Sequence, residues 1–159
     1  MRIIGIDPGF ERVGIAVSEK EKGKDTLLYS SCFKTSASLS FNKRLALIGE
    51  EIKRVIRKYD PEVLAIETLL FNNNQKTAMS VAEARGVMIY EGALKNLDLC
   101  EYTPLQIKIA VTGYGRADKN QVNVMVRQLV NIEKEVKYDD EMDAIAICLT
   151  CSASHNGLK

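Results

Sequence analysis

Residues 3–9 read Ile-Ile-Gly-Ile-Asp-Pro-Gly, a short apolar run that is closed by an acid and a turn signal. Such a run is typical of a strand buried on both faces, and Asp-Pro-Gly favours a turn directly after it. A second segment of this kind, Val-Leu-Ala-Ile-Glu, occupies residues 63–67 and also ends in an acid. The two segments predict a pair of central strands in an α/β sheet, each with a carboxylate at its carboxyl end.

The segments around these two strands predict the rest of the architecture. Two further strands are expected at 13–17 and 27–33, separated by the polar stretch 19–25, so that the first three strands form an antiparallel meander. A short fifth strand is expected at 99–102. Strands joined by helical crossovers should run parallel, which gives a five-stranded mixed sheet flanked by helices on both faces. Helical spacing of apolar residues predicts those helices at 41–59, 75–95, 104–112, 119–130 and 140–152.

Length and composition predict one globular domain. The chain has 159 residues, of which 46% are hydrophobic and 27% are charged. We expect residues 1–159 to form a single domain, with the polar tail from about residue 153 disordered. No apolar run approaches the ~18 residues that cross a bilayer and no signal-peptide pattern is visible, so we expect a cytoplasmic protein without membrane contact. The four cysteines are then expected to be reduced.

Acidic side chains follow both central strands and recur at the start of the last helix. Asp7 and Glu67 are expected side by side, since neighbouring strands lie about 4.8 Å apart. Asp140 and Asp143 share one face of a helix whose other face is apolar. Four carboxylates at one sheet edge would suit two Mg²⁺ ions about 3.5–4 Å apart, which clamp the oxygens of a phosphodiester displacement. Taken singly, these acids have plainer interpretations as a turn residue, an exposed strand end and helix caps.

Four motifs, in order and spacing, resemble the RuvC family of bacterial Holliday-junction resolvases: Ile-Gly-Ile-Asp-Pro-Gly at 4–9, Ala-Ile-Glu at 65–67, Ala-Arg-Gly at 84–86 and Asp-x-x-Asp-Ala-x-Ala-Ile at 140–147. The resemblance covers nearly the whole chain and implies an RNase H-like fold. It implies that Asp7, Glu67, Asp140 and Asp143 are the catalytic acids, which hold Mg²⁺, or Mn²⁺ in its place, with two ions per site. Whether Asp143 binds the metal ion directly depends on the residue at which the last helix begins.

The resemblance also implies an activity and partners. The activity is hydrolysis that resolves four-way DNA junctions by paired symmetric nicks in homologous recombination and DNA repair, leaving 5′-phosphate and 3′-hydroxyl ends. The implied partners are a second copy of the chain, bound through the helix at 75–95, and the RuvA–RuvB branch-migration complex. Two alternatives stay open: a related nuclease that cuts RNA or an RNA–DNA hybrid, and a non-catalytic junction-binding scaffold. The intact acids favour a nuclease over a scaffold.

Positive charge is segregated from these acids, although the chain as a whole carries a net charge of only +1. Residues 105–127 hold four cations against one acid, and Lys108, Arg116 and Lys119 are the candidate DNA-binding residues among them. From the residues alone, ordinary charge on a solvated helix and turn explains this segment equally well. By resemblance, Lys108 and Lys119 lie on DNA near the acids. Residues 43–58 hold six cations and two acids, but their spread around an amphipathic helix favours a solvated face over a DNA contact.

The loop after Glu67 supplies a candidate for contact with unpaired bases. Leu70 and Phe71 are followed by three asparagines, and an exposed aromatic side chain in such a loop can stack on a base. The family places an aromatic residue there at the crossover of the junction. An ungapped match to the family places Leu70 at the position where some relatives carry the aromatic residue, with Phe71 next to it, so either residue is a candidate for the wedge. Composition alone favours Phe71 as a core residue.

Overall fold

The computed structural model describes residues 1–69 and 75–155, in which two layers of helices enclose a five-stranded mixed sheet. The order across the sheet is β3-β2-β1-β4-β5, with β1 antiparallel to β2 and parallel to β4, and β4 parallel to β5. This is the predicted topology. The strands are β1 (Arg2–Asp7), β2 (Arg12–Glu21), β3 (Lys24–Lys34), β4 (Val63–Glu67) and β5 (Asp98–Tyr102). The helices are α1 (Phe41–Tyr59), α2 (Gln75–Ala93), α3 (Pro104–Thr112), α4 (Lys119–Leu129) and α5 (Asp139–Ser154).

Strand β1 lies at the centre of the sheet because its side chains are apolar on both faces. Ile3, Ile4 and Ile6 are fully buried. The strand pairs with β4 from Ile3↔Val63 to Ile6↔Ile66, so both strands end at the same edge of the sheet. The acids that close the two apolar runs therefore leave the sheet together.

The β2–β3 hairpin is longer than predicted. Lys22 and Gly23 form its turn with φ angles of 49° and 81°, the pair of positive values that a tight two-residue hairpin turn requires. The polar stretch 19–25, predicted as a connection, is instead paired strand apart from this turn, with Glu19 opposite Thr26. Polarity misled the prediction because this end of the hairpin is largely exposed and its ladder needs no apolar face.

Helices α3, α4 and α5 cover one face of the sheet, and α1 and α2 cover the other, each over its own apolar core. Helix α5 lies directly on the strand backbones. A Cβ atom added to Gly14 would lie 1.8 Å from the carbonyl oxygen of Asp140, and one added to Gly5 would lie 2.5 Å from that of Ala144. Only glycine permits this approach, and it sets the depth of the first turn of α5.

The end of α5 differs from the prediction. The helix continues to Ser154, two residues beyond the predicted end, because the Ser154 hydroxyl donates to the carbonyl of Thr150 and lies 2.9 Å from the Tyr102 hydroxyl. Residues 153 and 154 are thus helical, where disorder was expected. No helix in the described part of the chain is long and apolar enough to cross a membrane.

Candidate active site

Three of the four predicted catalytic acids line one cleft of about 240 Å³ at the edge where β1 and β4 end. Asp7 is the last residue of β1, Glu67 is the last residue of β4, and Asp143 lies in the first turns of α5. The two lysines predicted to contact DNA line the same cleft. Its full lining is Asp7, Glu67, Pro104, Ile107, Lys108, Lys119, Val122 and Asp143.

Well-capped helices present the two lysines to the cleft. Lys108 is on α3, whose N-cap Thr103 forms a capping box with Gln106. Lys119 is the first residue of α4, directly after the N-cap Asp118, which forms a second capping box. A cap of this kind stabilises a helix by about 1 kcal/mol. The two caps therefore fix the residues at which α3 and α4 begin, and with them the positions of the two lysines.

Burial and mutual repulsion make these carboxyl groups hard to ionise. The pKa of Asp7 is raised from 3.8 to about 8, first by burial and then by the charges of Asp143, Glu67 and Asp140. The pKa of Glu67 is raised from 4.5 to about 7 by burial and by Asp143. Burial also raises the pKa of Asp143. Acids held together in this way are stabilised in their ionised form by a cation between them.

Lys119 supplies part of that positive charge. Its ammonium group donates to Asp143 Oδ2 at 3.0 Å and lies 3.4 Å from Asp139 Oδ2. Burial lowers the pKa of Lys119, but the two aspartates outweigh it and raise the pKa above its usual value. Lys119 is therefore firmly protonated beside the acids.

Asp140 lies at the rim of the cleft and not in its lining. Its carboxylate is 3.3 Å from Nε of Arg12 and 4.0 Å from the thiol of Cys32. Its charge still reaches the cleft, since it raises the pKa of both Asp7 and Asp143. The structure thus gathers Asp7, Glu67 and Asp143, and leaves Asp140 beside them with a basic partner of its own.

The donor set of the cleft suits a hard divalent cation. All three acidic groups are carboxylates, the ligands that Mg²⁺ takes in proteins. In residues 1–69 and 75–155, no three His, Cys, Asp or Glu side chains are arranged closely enough to enclose one metal ion. The three side chains are therefore not closed around a metal position, but their carboxylate chemistry fits Mg²⁺. Their raised pKa values show that ionising them together is costly, and a bound cation would offset that cost.

Comparison with known proteins shows which family this chain belongs to. The model of the crossover junction endodeoxyribonuclease RuvC family matches residues 3–151. The chain belongs to the RuvC family. RuvC of Fusobacterium nucleatum subsp. nucleatum is 43% identical over 150 residues, which are 94% of this chain and 79% of that protein. RuvC of Ruminiclostridium cellulolyticum is 42% identical over 155 residues, which are 98% of this chain and 93% of that protein.

Solved structures agree with this assignment to RuvC. The structure of T. thermophilus RuvC in complex with Holliday junction substrate has a TM-score of 0.90 at 30% identity, covering 96% of this chain and 93% of that one. The yeast mitochondrial Holliday junction resolvase has a TM-score of 0.70 at 13% identity and shows a shared fold alone. The predicted RNase H-like fold is confirmed, and so is the predicted endonuclease of the Holliday-junction resolvase class.

The remaining predicted DNA-binding residues of this RuvC chain lie elsewhere. Arg116 is exposed in the connection between α3 and α4 and does not line the cleft. Leu70 and Phe71, the candidates for the wedge, lie outside the described residues. The basic segment 43–58 forms most of α1, on the opposite face of the sheet from α3 and α4.

Sequence reasoning missed the group that anchors the start of α5. Glu141 is only 5% exposed. Its Oε1 accepts from the Ser30 hydroxyl at 2.6 Å and lies 2.5 Å from Nζ of Lys134, which also donates to the Ser30 carbonyl at 2.6 Å. The N-cap of α5, Tyr138, makes no side-chain capping bond, so the Glu141 contacts tie the first turn to β3. In the sequence, Glu141 resembles any solvated acid at a helix start.

Lys134→Met is expected to lower the free energy of unfolding by about 2 kcal/mol, since it leaves a buried carboxylate without its charged partner. Adding Glu141→Gln should restore more than half of that loss, because the neutral amide needs no counter-charge. Urea unfolding of the metal-free protein measures both effects. Lys137→Met, at an exposed lysine in the same connection, is the matched control. A loss in Lys134→Met no larger than in Lys137→Met would show that the pair does not stabilise the fold, and a double variant no more stable than Lys134→Met would show that the loss does not come from the unpaired carboxylate.

Proposed function

We propose that this chain cleaves four-way DNA junctions at the cleft between β1 and β4, with Asp7, Glu67, Asp140 and Asp143 as catalytic acids. The observation that supports the proposal is that three of these acids and two lysines share one cleft, in which the pKa of Asp7 is raised to about 8. Buried, mutually repelling carboxylates next to cations are an arrangement suited to metal-assisted phosphodiester hydrolysis.

The RuvC family is a family of metal-dependent nucleases, and we propose Mg²⁺, with Mn²⁺ as a substitute and two ions per site. Asp7, Glu67 and Asp143 would hold it from the cleft, and Asp140 from the rim. Bound Mg²⁺ supplies Lewis-acid activation of water and of the phosphate. Loss of the carboxyl protons of Asp7 and Glu67 is the step that this chain itself must complete before it can bind the cation.

The lysines of the cleft are proposed to bind the scissile phosphate. Lys119 lies 3.0 Å from Asp143 and 3.4 Å from Asp139, and it would bind a phosphate oxygen, with Asp139 still beside it, if Asp143 held the cation. Lys108 lines the same cleft from α3. Positive groups fixed in this position would stabilise the charge that develops on the phosphate. The products would be a 5′-phosphate and a 3′-hydroxyl.

A homodimer is proposed from the outer face of α2. That face exposes Met79 and Tyr90, at 65% and 59%, and Leu94 follows it at 57%. Exposed apolar side chains spaced along one helix face are suited to pack against a second copy. A two-fold dimer would place one cleft on each of two strands in a near-symmetric junction.

We further propose that the chain acts as one nuclease domain in the cytoplasm, together with the RuvA–RuvB branch-migration complex. This part of the proposal is supported by membership of the RuvC family.

A cleavage assay tests the proposal. A mobile four-way junction, a linear duplex of the same sequence and an RNA–DNA hybrid are each incubated with the protein and Mg²⁺, and the nicked strands are mapped. Symmetric nicking of the junction alone is the expected result, and it should be absent with EDTA. Equal cutting of all three substrates, or cutting of the hybrid alone, would contradict a junction resolvase.

A further inference from the structure

Two cations lie at the edge of the sheet beyond Asp140, and the proposed cleft does not use them. Arg12 is the first residue of β2 and Lys34 is the last residue of β3, and the two are directly paired across the strands. Both residues are exposed. Because Asp7 pairs with Gly14 across β1 and β2, Arg12 and Lys34 lie one and two strand spacings to the side of β1 and two residues, about 7 Å, beyond its end.

Their contacts place both cations around the rim of the site. Nε of Arg12 is 3.3 Å from Asp140 Oδ2. Nζ of Lys34 lies 3.5 Å from the centre of the Tyr138 ring, at the N-cap of α5. Tyr138 and Asp140 are two residues apart at the start of α5, so the contacts of the two cations lie close together beside Asp140.

This group carries more positive charge than its acids balance. Within the described chain, Asp140 is the one carboxylate within 4.0 Å of Arg12, and no carboxylate lies that close to Lys34. Glu11, next to Arg12 in the chain, pairs with neither. The side chain of Arg12 is 54% exposed, so its outer nitrogens remain open to solvent. An aromatic ring holds the Lys34 ammonium without neutralising it.

A DNA strand whose scissile phosphate sits over the carboxylates has further phosphates on both sides of it. Lys108 and Lys119 lie on the α3 and α4 side of the acids. Arg12 and Lys34 lie on the other side, along the edge toward β3. We propose that Arg12 and Lys34 bind backbone phosphates of the cleaved strand next to the scissile one, with Tyr138 holding the Lys34 ammonium in place. This inference rests on the proposed function and adds a second contact to it.

The dependence of DNA binding on salt concentration tests the inference. A labelled four-way junction is titrated with the protein in EDTA, which prevents cleavage, at several salt concentrations. Each phosphate contact contributes about 0.9 to the slope of log K against log salt. We expect Arg12→Gln and Lys34→Gln each to reduce that slope by about one, and to weaken junction and duplex binding alike. Arg12→Lys should restore most of the slope, because it restores the charge.

Lys24→Gln is the matched control. Lys24 is an exposed lysine at the opposite end of the same strand β3, so its loss should leave the slope unchanged. Unchanged slopes for both Arg12→Gln and Lys34→Gln would overturn the inference and leave Arg12 as the counter-ion of Asp140 alone. A change in one variant only would overturn the role of the other residue. Wild-type protein that binds no DNA would overturn the inference together with the proposed function, whereas wild-type binding with unchanged slopes overturns the inference alone.

Discussion

Asp7→Asn is expected to slow junction cleavage by about a thousandfold, because the loss of a proposed metal ligand at the centre of the cleft removes about 4 kcal/mol of transition-state stabilisation. The same change should stabilise the metal-free protein. In the unfolded chain the Asp7 carboxyl loses its proton near pH 4, whereas in the folded protein its pKa is about 8. The folded state therefore holds the extra proton between these values, and stability falls as the pH rises from 4 to 8.

The asparagine variant lacks this penalty. Its melting temperature in EDTA should equal that of the wild type near pH 4 and exceed it by about 15 °C at pH 8, because about four pKa units at about 1.4 kcal/mol each predict a relief of about 5 kcal/mol. Differential scanning calorimetry at the two pH values measures the effect. Asp98→Asn, at an exposed acid at the start of β5, should change neither rate nor stability. If Asp7→Asn is inactive and also less stable than the wild type at pH 8, Asp7 stabilises the fold.

Mg²⁺ affinity is expected to rise about a thousandfold between pH 6 and pH 8. The cation binds ionised carboxylates, and the pKa values of Glu67 and Asp7 are about 7 and about 8. Below pH 7 both protons must leave, which raises the affinity by about a hundredfold per pH unit; between pH 7 and 8 one proton must leave, which gives about tenfold. Above pH 8 the affinity should level off.

Isothermal titration calorimetry in buffers of different ionisation enthalpy counts the protons released. We expect nearly two at pH 6 and fewer than one at pH 8.5. The Asp98→Asn variant, whose carboxyl lies far from the cleft at the other edge of the sheet, should release the same number as the wild type. Affinity that does not change between pH 6 and pH 8 would contradict a site built on Asp7 and Glu67.

The sequence predicted most of the fold because its elements are strongly patterned. The buried runs at 3–6 and 63–66 have no polar interruption, and the helical segments show clear apolar spacing. The errors fell where the pattern carries little information. The β2–β3 hairpin is stabilised by a two-residue turn and by ladder pairing of polar residues, and polarity alone cannot distinguish such a ladder from a loop.

The sequence predicted which acidic side chains lie near one another, but not the ion pairs that they form. Strand ends and helix spacing suffice to bring Asp7, Glu67 and Asp143 together, since β1 and β4 must end at the same edge. The partner of Asp140 could not be predicted, because Arg12 is brought to it by the register of β2 on β1 and by the close approach of α5. Glu141 was missed for the same reason: its partners are 7 and 111 residues away.

The ion pairs of Lys119 with Asp143 and of Arg12 with Asp140 determine where the metal-free protein carries unbalanced negative charge. Within the described chain, the two acids at the start of α5 thus have counter-charges of their own, whereas Asp7 and Glu67 at the strand ends have none, so the electrostatic cost of the metal-free state falls on the strand ends. A cation would therefore relieve mainly the repulsion between the acids at the ends of β1 and β4, and change the first turn of α5 less.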